Sequence, residues 1–223
     1  MAVRCEEIDW AAVDGCYGPA TAVPELIGQL ASPEPVVRAG AISELWGCLC
    51  HQGTVYEASA TAVPFLYEAA KAPGMPSAER NQLLALVVHI GLGEDTTWQG
   101  YTPWAVVRSC ARAVEALLPD LTAWALEGTH EARTWALALA AYNPDSWISL
   151  GVDVVQLMPG IDTATVHLVR HATSGTIPAE TLIDTILASD DDLREYYQEV
   201  IAEVPQNRQA RQLVLELAVA GRL

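Results

Sequence analysis

Several groups of residues in this chain have the types and spacing that chemistry requires. His167 and His171 stand at i, i+4 in TATVHLVRHA, a separation that puts two imidazoles on one helical face within reach of a metal ion. No glutamate holds the position a metal-hydrolase helix needs, and no third ligand is identifiable. The pair therefore reads as packing or surface, and neither a metal nor a cofactor is expected. Cys48-x-Cys50-His51 supplies two thiols and an imidazole, the parts of a nucleophilic centre. On a helix those thiols diverge to different faces, and small buried hydrophobes are the expected role. Ser189-Asp190-Asp191-Asp192 lacks the spaced pattern of a calcium loop and reads as a capped helix start.

Two stretches stay open as sites. In His51-Gln52-Gly53-Thr54-Val55-Tyr56, Gly53 suits a helix end and His51 suits its negative pole. Such an end needs neither Gln52 nor Tyr56, which points to a polar rim at one end of a groove. In residues 91–105, GLGEDTTWQGYTPWA, there is no helical period, so the segment reads as an inserted loop. Trp98, Tyr101 and Trp104 there, with Glu94 and Asp95, combine aromatic faces and carboxylates, a pairing suited to a cation. Trp46 and Trp135 lie beside apolar stripes. Core packing is their default and groove lining the alternative.

The elements that must position these residues are helical. Val23, Leu26, Ile27 and Leu30 form one stripe, Ser32-Pro33-Glu34-Pro35 stops that helix, and Val37, Ala41, Leu45 and Leu49 form the next stripe. ATAVPEL at 20–26 recurs as ATAVPFL at 60–66, and Leu118, Pro119 and Leu121 supply a third instance. Val37-Arg38 with Ala41 is echoed by Ala132-Arg133 with Ala136 and by Leu193-Arg194 with Tyr197.

This pattern resembles the HEAT repeat, and HQGTVY followed by ATAVPFL resembles bacterial HEAT-like proteins. The resemblance implies an all-α fold, a short right-handed α-solenoid of about five HEAT-like helix pairs whose second helices line a concave face. It also implies that Arg38, Arg133 and Arg194 are structural. The expected organisation is one domain over 1–223, with a lead-in at 1–18 containing one short helix, the loop at 91–105, and a capping helix at 207–223 with a polar outer face.

Composition narrows the function. A net charge of −16, from 28 acidic and 12 basic residues, repels phosphate backbones and argues against nucleic acid. Five cysteines, odd in number and without a C-x-x-C pair, read as reduced thiols in the cytoplasm. MAVRCEEIDW has no apolar signal core, and no apolar run is long enough to span a membrane. Nucleotide-binding glycine motifs and the G-x-S-x-G elbow are absent, so an enzyme is not favoured. The expected function is a binding protein that engages a basic protein or peptide, as an adaptor or inhibitor. The alternative is a small-molecule binder or lyase-like enzyme of bacterial secondary metabolism, with a Trp-lined pocket for a cationic or aromatic compound.

Overall fold

The computed structural model describes residues 4–92, 102–151, 153–174, 183, 184, 186, 188, 191–199, 201–203 and 206–223. They are predominantly helical, with two minimal hairpins, so the chain is all-α. The helices gather into two compact units, Met1–Leu117 and Leu118–Leu223. Among the described residues no helix is long and apolar enough to cross a membrane.

In the first unit α1 (Val23–Gln29) carries Pro24 in its first turn, where a missing N–H leaves no bond unmade. Ser32 Oγ accepts from the Glu34 N–H at 3.2 Å in the turn that follows. Pro35 then opens α2 (Pro35–Leu49), whose Ala41, Ile42, Leu45 and Leu49 are buried. Val37, expected in that stripe, is 38% exposed, because it lies in the first turn, ahead of the packed length. α3 (Glu57–Lys71) pairs with α4 (Ser77–Gly91), and α1 pairs with α2. The first helices also meet each other, as do the second helices, and α5 (Trp104–Glu115) packs on α3 and α4. A Cβ on Gly91 would lie 3.0 Å from Val114, so glycine sets the close approach of α4 to α5.

The second ATAVPFL copy keeps its buried stripe of Val63, Leu66, Tyr67 and Ala70. Its place in the helix differs from the first copy. α3 begins at Glu57, so Pro64 lies inside it rather than at its start. The early start has a cause: buried Ser59 accepts the Tyr56 N–H at 2.7 Å and fixes the helix entry there.

Arg38 behaves as a structural residue. Nη1 donates to the Ser32 carbonyl at 2.8 Å and to that of Pro33 at 3.1 Å, while Nη2 reaches Glu79 Oε1 of α4 at 2.9 Å. It thus ties its own turn to the next helix pair. Arg194 lies 3.7 Å from exposed Asp191, three positions back on its own helix.

The lead-in holds two 3-10 turns, Cys5–Glu7 and Trp10–Ala12, and a hairpin of β1 (Asp14–Gly15) with β2 (Gly18–Pro19), in place of the expected single helix. Trp10 anchors it, 4% exposed, its Nε1 donating to the Cys5 carbonyl and its ring against Phe65.

The second unit contains α6 (Leu118–Leu126), α7 (His130–Tyr142), α8 (Pro144–Ser149), a 3-10 turn (Val154–Leu157), α9 (Thr163–Ser174), α10 (Asp191–Glu199) and α11 (Gln206–Val219). α7 is buried on nearly every side, and α6, α8, α9 and α11 pack around it. Ala210, Leu213, Val214, Leu217 and Ala218 of α11 are buried as their spacing predicts. The opposite face is not a free polar surface. Gln212 accepts from the Tyr142 hydroxyl and donates to Glu216 at 2.9 Å, and burial raises the Glu216 pKa.

Candidate functional site

The His51–Tyr56 stretch is a hairpin, not a helix end closed by Gly53. α2 stops at Leu49, and β3 (Cys50–His51) pairs antiparallel with β4 (Thr54–Val55). Gln52 and Gly53 form its two-residue turn with φ of 50° and 83°, the twist that joins adjacent strands most readily. Glycine reaches that region freely. Gln52, exposed at the tip, does so at a cost of about 1–2 kcal/mol.

Several elements of the first unit hold this hairpin. Ser59 Oγ donates to the Leu49 carbonyl at 2.6 Å while accepting from Tyr56, so one hydroxyl clamps the end of α2 to the start of α3. Thr102 Oγ1 donates to the Val55 carbonyl at 2.9 Å, and the Cys110 thiol of α5 lies 3.8 Å from the Tyr56 carbonyl oxygen. From the lead-in, the Cys16 N–H donates to the Cys48 carbonyl at 3.2 Å. That bond delivers Tyr17 to the hairpin. Its Oη lies 3.5 Å from His51 Nδ1, and the two rings meet edge-on with centroids 5.8 Å apart.

The chemistry of this cluster is that of protonated groups. Burial pushes the Cys50 and Cys110 thiols up to about 12, and burial also raises Cys48, with Glu44 and Cys16 adding to the effect. These sulfurs keep their protons at neutral pH and pack as small hydrophobes rather than acting as thiolates. Tyr56 is likewise raised, by burial first and by its contact with Cys16 second. Tyr17 is raised by desolvation, then by Cys16, Cys48 and the Glu44 carboxylate, yet its ring is 78% exposed. The outcome is a hairpin, held at several points, whose half-buried imidazole and exposed amide stand beside the exposed phenol of Tyr17.

The expected site residues do not all converge. His51, Gln52 and Tyr56 share the hairpin. Trp46 turns instead toward α4, its ring edge-on to His89 at 5.4 Å. Trp135 is fully buried in α7 of the second unit, so it packs the core there rather than lining a groove. Trp104 is the first residue of α5 rather than part of a loop, and Gly91 still belongs to α4, which shortens the inserted segment at both ends. Glu94, Asp95, Trp98 and Tyr101 lie outside the described residues. His167 is exposed and His171 half-buried on α9. Among the described residues no group of three or more His, Cys, Asp or Glu side chains is placed to hold a metal.

Sequence reading missed Cys16, Tyr17, Thr102 and Cys110. The only signal for Tyr17 was the glycine on either side of the Cys16-Tyr17 pair, Gly15 and Gly18, which closes a hairpin without naming its destination. The chain matches no protein-family model, and no curated protein or solved structure matches it.

Proposed function

We propose that this chain is a non-enzymatic binding protein, a short HEAT-like α-solenoid whose acidic surface engages a basic protein or peptide. The helix-pair packing of the first unit supports the architectural half: first helix against first, second against second, with Arg38 bridging one pair to the next.

The observation that carries the binding half is the exposed Tyr17 ring with the Glu44 carboxylate within electrostatic reach. An open aromatic face beside a carboxylate suits a lysine or arginine side chain. The surrounding charge agrees with that partner. Within the first unit Glu25, Glu34, Glu57 and Glu68 are exposed, while Arg38 is engaged with Glu79, Arg80 with the Ala70 carbonyl and Lys71 with the Tyr67 ring, which leaves Arg108 and Arg112 of α5 as exposed cations. The attraction is then mainly steering and specificity, and it weakens with salt.

The test is titration of a fluorescent arginine-rich peptide into the full chain at low and high salt. Tyr17→Ala and Glu44→Gln should each weaken binding roughly threefold, with Glu195→Gln in the second unit as the charge control. Equal effects from Glu44→Gln and the control, with none from Tyr17→Ala, would leave only general charge attraction and overturn the reading.

A further inference from the structure

Two of the five cysteines stand apart from the rest. Cys50 and Cys110 are 4% and 0% exposed, closed off from solvent, and Cys5 sits in the first 3-10 turn. Cys16 and Cys48 are both half-buried, so a small reagent can reach either thiol. They belong to segments distant in sequence that touch directly. Cys16 lies at the tip of the β1–β2 hairpin, and Cys48 in the last turn of α2.

The backbone contact between them bounds their separation. The Cys16 N–H donates to the Cys48 carbonyl at 3.2 Å. With standard bond lengths on either side, such a bond sets the two Cα atoms about 5–6 Å apart. A disulfide spans Cα atoms about 4.4–6.8 Å apart. The hairpin backbone lies against the end of α2 on the other side of this bond too, since a Cβ on Gly15 would be 3.5 Å from the same carbonyl oxygen. The thiols are also close enough to influence each other. Burial first, the Glu44 carboxylate second and Cys16 third raise the Cys48 pKa.

We propose that Cys16 and Cys48 form a reversible disulfide by exchange with a small disulfide in solution. The Cys16 sulfur attacks one sulfur of the reagent, forming a mixed disulfide and releasing one small thiol. Cys48 then displaces the second small thiol. Two protein thiols are oxidised, one small disulfide is reduced to two small thiols, and the two protein protons leave with them. The order follows from the surroundings of Cys48, whose proton is held by burial and by Glu44. That hold slows the second displacement without preventing it, because only a small thiolate fraction has to be present at any moment. The bond makes covalent the one contact that delivers Tyr17 to the hairpin after α2.

The cross-link is read by mass with no peptide present, so it stands or falls separately from peptide capture by Tyr17 and Glu44. The experiment incubates the full chain with oxidised glutathione. Remaining thiols are then blocked with N-ethylmaleimide in mildly acidic denaturant, and peptides are mapped without reduction. The oxidised chain should carry two fewer maleimides than the reduced chain and no retained glutathione. Fragmentation should place the bridge between Cys16 and Cys48, and dithiothreitol should restore full labelling. Cys16→Ser and Cys48→Ser should each abolish the bridge, with Cys48→Ser retaining glutathione on Cys16. Full labelling after oxidation, glutathione that stays on wild-type Cys16, or a bridge to any other cysteine or to a second chain overturns the proposal.

Discussion

His89 shows how one side chain couples to solution conditions. It lies near the end of α4 with its ring edge-on to Trp46, and loss of hydration lowers its pKa from 6.5 to about 4. The folded chain therefore holds a neutral imidazole where the unfolded chain would take a proton. The stability this contributes is present in full above about pH 6.5 and is lost as pH falls toward 4. Between about pH 7 and about pH 5 the loss is about 2 kcal/mol. Urea unfolding at the two pH values should show it, and His89→Gln should reduce the difference; an unchanged difference would place the pH dependence elsewhere. From sequence His89 was one of five histidines with no distinguishing neighbour, because its partner Trp46 is 43 positions away. Arg38 was legible because its chemistry repeats along the chain, whereas Tyr17 was not, because its role rests on one hydrogen bond between Cys16 and Cys48.

Among the elements, the hairpin after α2 depends on the clamp at Ser59. That hydroxyl is fully buried and serves both the Leu49 carbonyl and the Tyr56 N–H. Ser59→Ala leaves an acceptor and a donor unmatched in the interior. It should cost about 2 kcal/mol in denaturant unfolding, while Ser109→Ala on an exposed face should cost under about 0.5 kcal/mol. The helices themselves were readable, since apolar spacing and proline punctuation act over a few residues. α1, α2, α9 and α11 lie close to where their stripes put them. The hairpin was not readable, since Gln52-Gly53 with Gly53 at positive φ fits a helix terminus or a tight turn equally well. The choice fell to Thr102, Ser59 and Cys16 closing around the strands. Pro64 makes the same point. Heptapeptides that differ only at Glu25 and Phe65 open α1 in one case and sit inside α3 in the other, because Ser59 fixes the start of α3 at Glu57 rather than at Val63.

At the scale of the molecule, the net charge of −16 governs how stability responds to salt. Like charges crowded together by folding repel, and screening relieves that repulsion. Raising sodium chloride from about 0.01 M to about 0.5 M, which shortens the screening length from about 30 Å to a few ångström, should raise the thermal midpoint by a few degrees. A falling midpoint would mean that ion pairs such as Arg38–Glu79 outweigh the repulsion.

The sequence by itself determined the helical class, the stripes, the main turns and the acidic surface, because each is set by local spacing or by composition. Tertiary structure alone decided which polar residues meet. It carried Tyr17 to His51, turned Trp46 away toward His89, and sank Trp135 into the core of the second unit. Such meetings depend on packing between segments far apart in the chain, and helical spacing says which face a residue occupies but not what that face will touch.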